Sequence, residues 1–326
     1  MVKVLYLPIN SHDSAQTGMY DAWKAAGVEL QIFDFFVRWL DTRNAKTVNT
    51  EFLQAVTKFQ PDLVHMQLQL TGVIDPLTIR QARLACKKNT IFTNWSGDVR
   101  SQASPYIVSI SKEVDYTFLS STGQIPLYQK AGAENVRYWQ IGYDPKQFFP
   151  QCLPATSLKY KLIFTGNAYA AGTFADCGLR QDILLKLKKH FGNSFGLFGS
   201  GYPSSYGKIQ SISGSAVNNE FNKSHCILSI SNYNDISHYF SDRLLVCLAS
   251  GRPTISYRFP SYDSYFANGS DILIANSVEN IINQVEYCVA NPQAALQIGM
   301  NGFRKVLSEH TYTSRVRELL DMLNLK

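Results

Sequence analysis

Short apolar runs rich in β-branched and aromatic residues alternate along this chain with helical stretches, and that alternation limits the possible folds more than any other feature. Residues 2–7 read as a strand, and 17–26 as a helix ending at Gly27. Strands follow at 28–33, 62–66, 90–95, 116–120 and 136–140, with helices at 50–59, 76–87, 106–113 and up to Gly132 between them. Strands separated by helices predict a parallel sheet with right-handed crossovers, because a parallel pair cannot be joined by a tight hairpin. The first half is expected to be a Rossmann-like domain.

The alternation restarts at residues 159–165 after PQCLPATS, a stretch with two prolines and no periodicity. A helix over 179–191, a strand over 195–199, a helix over 216–223 and strands at 226–231, 254–257 and 271–274 come next, followed by three helical stretches. A chain of 326 residues exceeds what one hydrophobic core usually serves, so two domains are expected. The expected division is 1–150, a linker at 151–157, 158–305, and a helix at 306–326 returning to the first domain. The fold class is α/β, with two Rossmann-like domains whose parallel sheets face an interdomain cleft. Ligands of open α/β sheets bind beyond the carboxyl ends of the strands, which directs attention there.

Composition excludes several classes. The formal charge of +6 suits an anionic ligand or nucleic acid without specifying either, and the densest basic cluster, Lys186, Lys188 and Lys189, fits a solvated helix face. The six cysteines are widely spaced, with neither a Cys-x-x-Cys pair nor a histidine at zinc-ligand spacing, so free and mostly buried thiols are expected. Met1 leads directly into a strand and no run of 18 apolar residues occurs, so no signal peptide and no membrane span are expected and the localisation expected is cytoplasmic. Neither Gly-Lys-Ser/Thr nor a Gly-x-Gly-x-x-Gly after the first strand is present, which demotes nucleotide hydrolysis and hydride transfer.

Within this frame, residues 238–260 hold the most informative segment, HYFSDRLLVCLASGRPTISYRFP. Ser241 suits an N-cap, and Leu244, Leu245, Leu248 and Ala249 form one apolar helical face. Gly251 suits a left-handed C-cap, and Pro253 bars continuation. The helix would aim its first amides, with Ser241, Asp242 and Arg243, at an anion.

Polar residues expected at strand ends complete the candidates. In the first half, His12 and Asp98 are candidate general bases toward an acceptor hydroxyl, near Asp13, His65, Gln67, Gln69, Asn94 and Arg100. Helix capping by His12-Asp13 and turn chemistry at Gly97-Asp98 are the competing readings. In the second half, Gly166, Asn167, Arg180, Gly199, Tyr202, Ser241, Asp242, Arg243 and Tyr257 are candidate ligand contacts. Gly166 and Gly199 either admit a ligand to backbone amides or serve only as turn glycines. Arg180 either helps hold the anion or is a surface residue at a helix start, and Tyr202, Tyr233, Tyr239, Tyr257 and Tyr262 either stack on a base or sugar or pack at strand edges.

The segments SDRLLVCLASGRPTISY, FANGSDILIANSVENIINQVEYCVANP and IGMNGFRKVLSEHTYTSRVRELL together resemble the carboxyl-terminal half of glycosyltransferases with the GT-B fold, in the group 1 branch and nearest to CgeB-like proteins. Arg243, Ala249, Gly251 and Pro253 match Arg-x-Phe-Glu-Ala-x-Ala-x-Gly-x-Pro. His310, Thr311, Tyr312 and Arg315 match His-Thr-Tyr-x-x-Arg. The resemblance covers about the last third of the chain. It implies a nucleotide diphosphate sugar donor, such as a UDP- or GDP-sugar, in the second domain, an acceptor in the first, and no metal. Related retaining enzymes carry two glutamates eight positions apart, where this chain has His238 and Val246.

The expected function is metal-independent transfer of a hexose to an acceptor hydroxyl, on a glycan or a hydroxymethylated DNA base. The alternatives are a degenerate transferase fold that binds nucleotide-sugar or glycan without turnover, and a nucleotide-sugar epimerase.

Overall fold

A computed structural model describes residues 1–9, 14–69 and 72–325. The chain divides into two compact units, Met1–Ile141 with Tyr312–Lys326, and Gly142–Thr311. The expected divisions at 150 and 305 thus give way to divisions at 141 and 311.

The first unit runs β1 (Lys3–Leu7), α1 (Ser14–Ala25), β2 (Glu29–Ile32), α2 (Phe35–Thr42), α3 (Ala45–Phe59), β3 (Leu63–Met66), α4 (Pro76–Ala85), β4 (Ile91–Ser96), α5 (Pro105–Ser111), β5 (Tyr116–Leu119), α6 (Ile125–Lys130) and β6 (Val136–Tyr138). Its six strands are parallel in the order β2-β1-β3-β4-β5-β6. The period of two divides β1 between two cores. Leu5 and Leu7 join Val48, Phe52 and Ile79 on one face, whereas Val4 and Tyr6 join Met19, Trp23 and Trp139 on the other. The alternation read from sequence omits α2, a short helix capped by Asp34, whose carboxylate accepts from the Val37 amide at 3.2 Å.

The second unit runs β7 (Tyr160–Thr165), α7 (Cys177–Phe191), β8 (Phe195–Phe198), α8 (Ser215–Asn222), β9 (Ser224–Ser229), α9 (Asp242–Ala249), β10 (Thr254–Tyr257), β11 (Leu273–Ala275), α10 (Val278–Ala290) and α11 (Pro292–Glu309). Its five parallel strands lie in the order β11-β10-β9-β7-β8. Residues 151–157, expected as a linker, lie inside this unit. The Gln151 amide donates to Asn222 Oδ1 at 2.8 Å, and Asn218 Nδ2 donates to the Phe149 carbonyl at 3.1 Å.

After α11 the chain returns to the first unit as α12 (Tyr312–Met322). Val316 and Leu319 enter the core beside Tyr6 and Trp23. The Trp139 indole donates to the Arg315 carbonyl at 3.1 Å, and Arg315 Nε donates to the Ile141 carbonyl at 3.1 Å. Arg315 of the His-Thr-Tyr-x-x-Arg match therefore fastens this helix to the end of the first sheet.

His65, expected at a polar strand end, is instead fully buried in this core. Its ring stacks on Tyr6 at 5.7 Å, meets Trp139 edge-on at 5.4 Å, and hydrogen-bonds Thr93 through Nδ1 at 2.8 Å. Nε2 has no partner among the described residues. Burial pulls its pKa down from 6.5 to about 3. The unfolded chain therefore binds more protons than the folded one between these values, and the folded state loses stability as pH falls through 6.5 toward 3. Urea unfolding should show about 2 kcal/mol of stability lost to this group between pH 7 and pH 5. His65→Leu should remove that portion of the pH dependence; an unaltered pH dependence in the variant would refute the assignment.

Candidate donor site in the second unit

Strand order points to a candidate site before any side chain is considered. The second sheet begins with β7, adds β8 on one side, and then crosses to β9 on the other, so its direction of growth reverses between β7 and β9. Such a reversal opens a crevice at the carboxyl ends of the two strands, because their following loops diverge to opposite faces. Thr165 ends β7, and Ile230 follows β9.

Arg243, the second residue of α9, spans this reversal. Its Nε donates to the Thr165 carbonyl at 2.7 Å and one terminal nitrogen to the Ile230 carbonyl at 3.1 Å. Arg180 on α7 donates to the Asn167 carbonyl and is only 1% exposed, which corrects the surface alternative. Both guanidiniums lie against Phe164, with Cζ 5.8 Å from the ring centroid for Arg180 and 5.2 Å for Arg243. Neither forms an ion pair among the described residues. Burial, followed by the charge of Arg243, pulls the Arg180 pKa down to about 10. Two cations held against one ring without a carboxylate are poised for an anion with more than one charge.

The amino end of α9 departs from its expected role. Ser241 adopts extended N-cap dihedrals, but its hydroxyl is buried and accepts no capping hydrogen bond. Asp242 instead accepts from the Arg243 amide at 2.8 Å. This exposed carboxylate occupies an amide expected to face the anion and opposes negative charge at the helix end. The cationic centre is therefore the pair of arginines rather than the helix terminus. The carboxyl end of α9 follows the expectation, with Gly251 at φ 73° ahead of β10.

The glycine turns also act differently from the ligand-facing reading. The Gly166 amide already donates to the Phe198 carbonyl at 2.9 Å, and that of Gly199 to the Gln210 carbonyl at 2.9 Å. Tyr202 donates its hydroxyl to the Gly166 carbonyl at 2.6 Å, and Asn167 Oδ1 accepts from the Ser200 amide at 3.0 Å. Both glycines are required by close packing. A Cβ on Gly166 would stand 2.8 Å from Arg243, and one on Gly199 only 2.1 Å from the Gly166 carbonyl oxygen. Gly166, Asn167, Gly199 and Tyr202 thus form the frame that holds the arginines. Tyr257, half-buried at the end of β10, donates its hydroxyl to the Asn276 carbonyl at 3.2 Å.

The acceptor-side candidates of the first unit are mostly engaged in structure. Asn94 Oδ1 accepts from the Leu68 amide at 2.8 Å, the Trp95 indole donates to the Trp139 carbonyl at 3.0 Å, and Gln69 Oε1 accepts from the Asp98 amide at 3.2 Å. The Asp98 carboxylate is 67% exposed and 3.7 Å from Arg100, so it remains within reach of a ligand. His12 and Asp13 lie outside the described residues. Sequence reading missed Phe164 and the carbonyls of Thr165 and Ile230. A core phenylalanine carries no distinguishing sequence mark, and backbone acceptors carry none at all.

Residues 180–321 match the glycosyl transferase-like family. No curated protein sequence matches the chain. Among solved structures, Anabaena HepE in complex with UDP and glucose is similar at a TM-score of 0.65 and 10% identity, covering 99% of this chain and 100% of that one. An alpha-glucosyltransferase in complex with UDP and a 13-mer DNA containing an HMU base is similar at 0.71 and 11%, covering 99% of each chain. Sucrose-phosphate synthase from Thermosynechococcus elongatus is similar at 0.65 and 12%, covering 99% and 98%. At these identities the likeness is one of fold. With two parallel-sheet α/β units and a glycosyl transferase-like match over residues 180–321, this chain has the GT-B glycosyltransferase fold.

Proposed function

We propose that this protein transfers a hexose from a nucleotide diphosphate sugar to an acceptor hydroxyl, with Arg180 and Arg243 receiving the diphosphate. The observation that carries the reading is the pair of guanidiniums at the β7/β9 reversal, which form no ion pair with a carboxylate among the described residues. In the reaction, the bond from the anomeric carbon to the diphosphate oxygen breaks and a bond to the acceptor oxygen forms. The nucleoside diphosphate leaves with the bonding pair. Fixed cations placed where that charge accumulates lower the barrier, since they need not reorganise during the step. On this reading they take the place of a metal, and turnover should persist in chelator.

The acceptor side is assigned to the first unit, with Asp98 taking the hydroxyl proton. Asp98→Asn should lower turnover about a hundredfold with donor binding retained, within the range for loss of a general base. Undiminished turnover would remove Asp98 from the mechanism.

A hydroxymethylated DNA base is a candidate acceptor, supported by the formal charge of +6 and the likeness to the DNA-bound alpha-glucosyltransferase. A glycan is the alternative. The deciding experiment incubates the protein with UDP- and GDP-sugars, alone and with hydroxymethylated duplex DNA or oligosaccharides. Sugar transfer or slow hydrolysis supports a transferase, and salt-dependent DNA binding supports the DNA acceptor. Binding without turnover would favour a degenerate fold, a reading supported by Val246, which packs against the apolar cluster of Ile163, Phe198 and Phe221 where related enzymes carry a glutamate. Interconversion of sugars would favour an epimerase.

A further inference from the structure

A pair of thiols apart from the arginine site forms between β9 and α10. The two-residue period of β9 turns Cys226 and Leu228 to the same face. On α10, Ile281, Val285 and Cys288 fall at helical spacing and bury against that face. The two periodicities meet at the cysteines, whose side chains interact directly within one apolar cluster. Cys226 is 0% exposed and takes no part in the wall of a cavity of about 250 Å³, which Cys288, 1% exposed, lines. Leu153, Leu158 and Leu296 form apolar parts of the wall, and His225 and Arg252 form polar parts. The remaining buried cysteines, Cys177 and Cys247, do not line this cavity.

We propose that Cys288 and Cys226 are an oxidisable dithiol, in which Cys288 reacts with a peroxide entering the cavity and Cys226 resolves the product to a disulfide joining β9 to α10. The Cys288 thiolate attacks one peroxide oxygen and the O–O bond breaks, giving a sulfenic acid and hydroxide. The Cys226 sulfur then attacks the sulfenic sulfur, an S–S bond forms, and the hydroxyl leaves as water. Overall the two thiols lose two electrons and two protons, and the peroxide becomes two waters. Cys288 lines the cavity and Cys226 does not, which gives the attacking and resolving roles their order. Direct interaction of the two side chains sets the thiols side by side, the arrangement that closing a disulfide requires.

The test uses the full chain with the half-buried Cys86 and the exposed Cys152 changed to serine, leaving four thiols. One equivalent of hydrogen peroxide is added, the protein is denatured in alkylating reagent, and its peptides are mapped. The expected result is loss of two of the four thiols, recovered with dithiothreitol, and a single cross-linked peptide joining Cys226 to Cys288. Adding Cys226→Ser should leave a sulfenic acid on Cys288 that is trapped by dimedone. Overturning results would be no cross-link in the Cys86/Cys152 variant, or oxidation of Cys177 and Cys247 as fast as that of Cys288. The cross-link is read with both buried thiols intact, so it decides the matter whether or not Cys226→Ser folds.

Discussion

Arg243→Ala should lower kcat/KM for sugar transfer by about two to three orders of magnitude, the scale seen when one preorganised donor to a developing anion is removed. It should also cost about 1–3 kcal/mol of stability, because the Thr165 and Ile230 carbonyls lose their charged donor. Arg243→Lys keeps a charge but cannot fork between two carbonyls and a phosphate, so it should fall between alanine and the parent. Arg180→Met gives the sharper comparison. The buried Arg180 charge is opposed by its burial and by Arg243, and a pKa pulled from 12.5 to about 10 corresponds to roughly 3 kcal/mol of strain on the charged form. Removing that charge while keeping its bulk should leave the ligand-free protein as stable as the parent or more so. UDP affinity should fall about 10–100-fold, as expected when a charged hydrogen bond is lost. Calorimetric titration with UDP, alongside thermal unfolding without it, reads both effects. Unchanged UDP affinity in both alanine and methionine variants would refute the diphosphate assignment.

The legible and illegible parts of this molecule divide along physical lines. Two parallel sheets could be read from the chain because each strand carries its own pattern: β10 falls at the residues expected, and the other strands lie within a few residues of theirs. Strand order could not be read, since the crossing from β8 to β9 depends on which edge the chain joins and not on local periodicity. That order sets Thr165 and Ile230 on either side of the reversal that Arg243 spans. Arg180 was ambiguous because a helix start is ordinarily solvent-facing; the loop carrying Asn167 covers it. His65 misled for the opposite reason. Its position at a strand end suggested a polar wall, whereas Tyr6, Trp23 and Trp139 enclose it. Ser241 supplied the expected cap backbone, yet Asp242 made the side-chain bond, a choice between adjacent oxygens that cap statistics do not resolve.

Gly199→Ala should be the most damaging single methyl addition in the frame around the arginines. Its φ of 144° is one that side chains rarely adopt, and the added Cβ would meet the Gly166 carbonyl oxygen at 2.1 Å. The obstruction is backbone, bound in turn by Tyr202, so no rotamer change relieves it. Backbone strain and overpacking should together cost roughly 4 kcal/mol, a fall in Tm on the order of 10 °C for a unit of this size. Moving the Gly166 loop also moves the Thr165 carbonyl from Arg243, so UDP affinity should decline even where the protein remains folded. Gly207→Ala separates collision from backbone conformation. Gly207 has a φ of 77° but nothing within 4 Å of an added Cβ, so its substitution should cost only about 1 kcal/mol and leave UDP binding intact. Equal losses from the two substitutions would show that conformation alone governs both sites. A larger loss at Gly199, accompanied by weaker UDP binding, is the signature of a glycine retained because one loop backbone rests directly on another beneath the arginines.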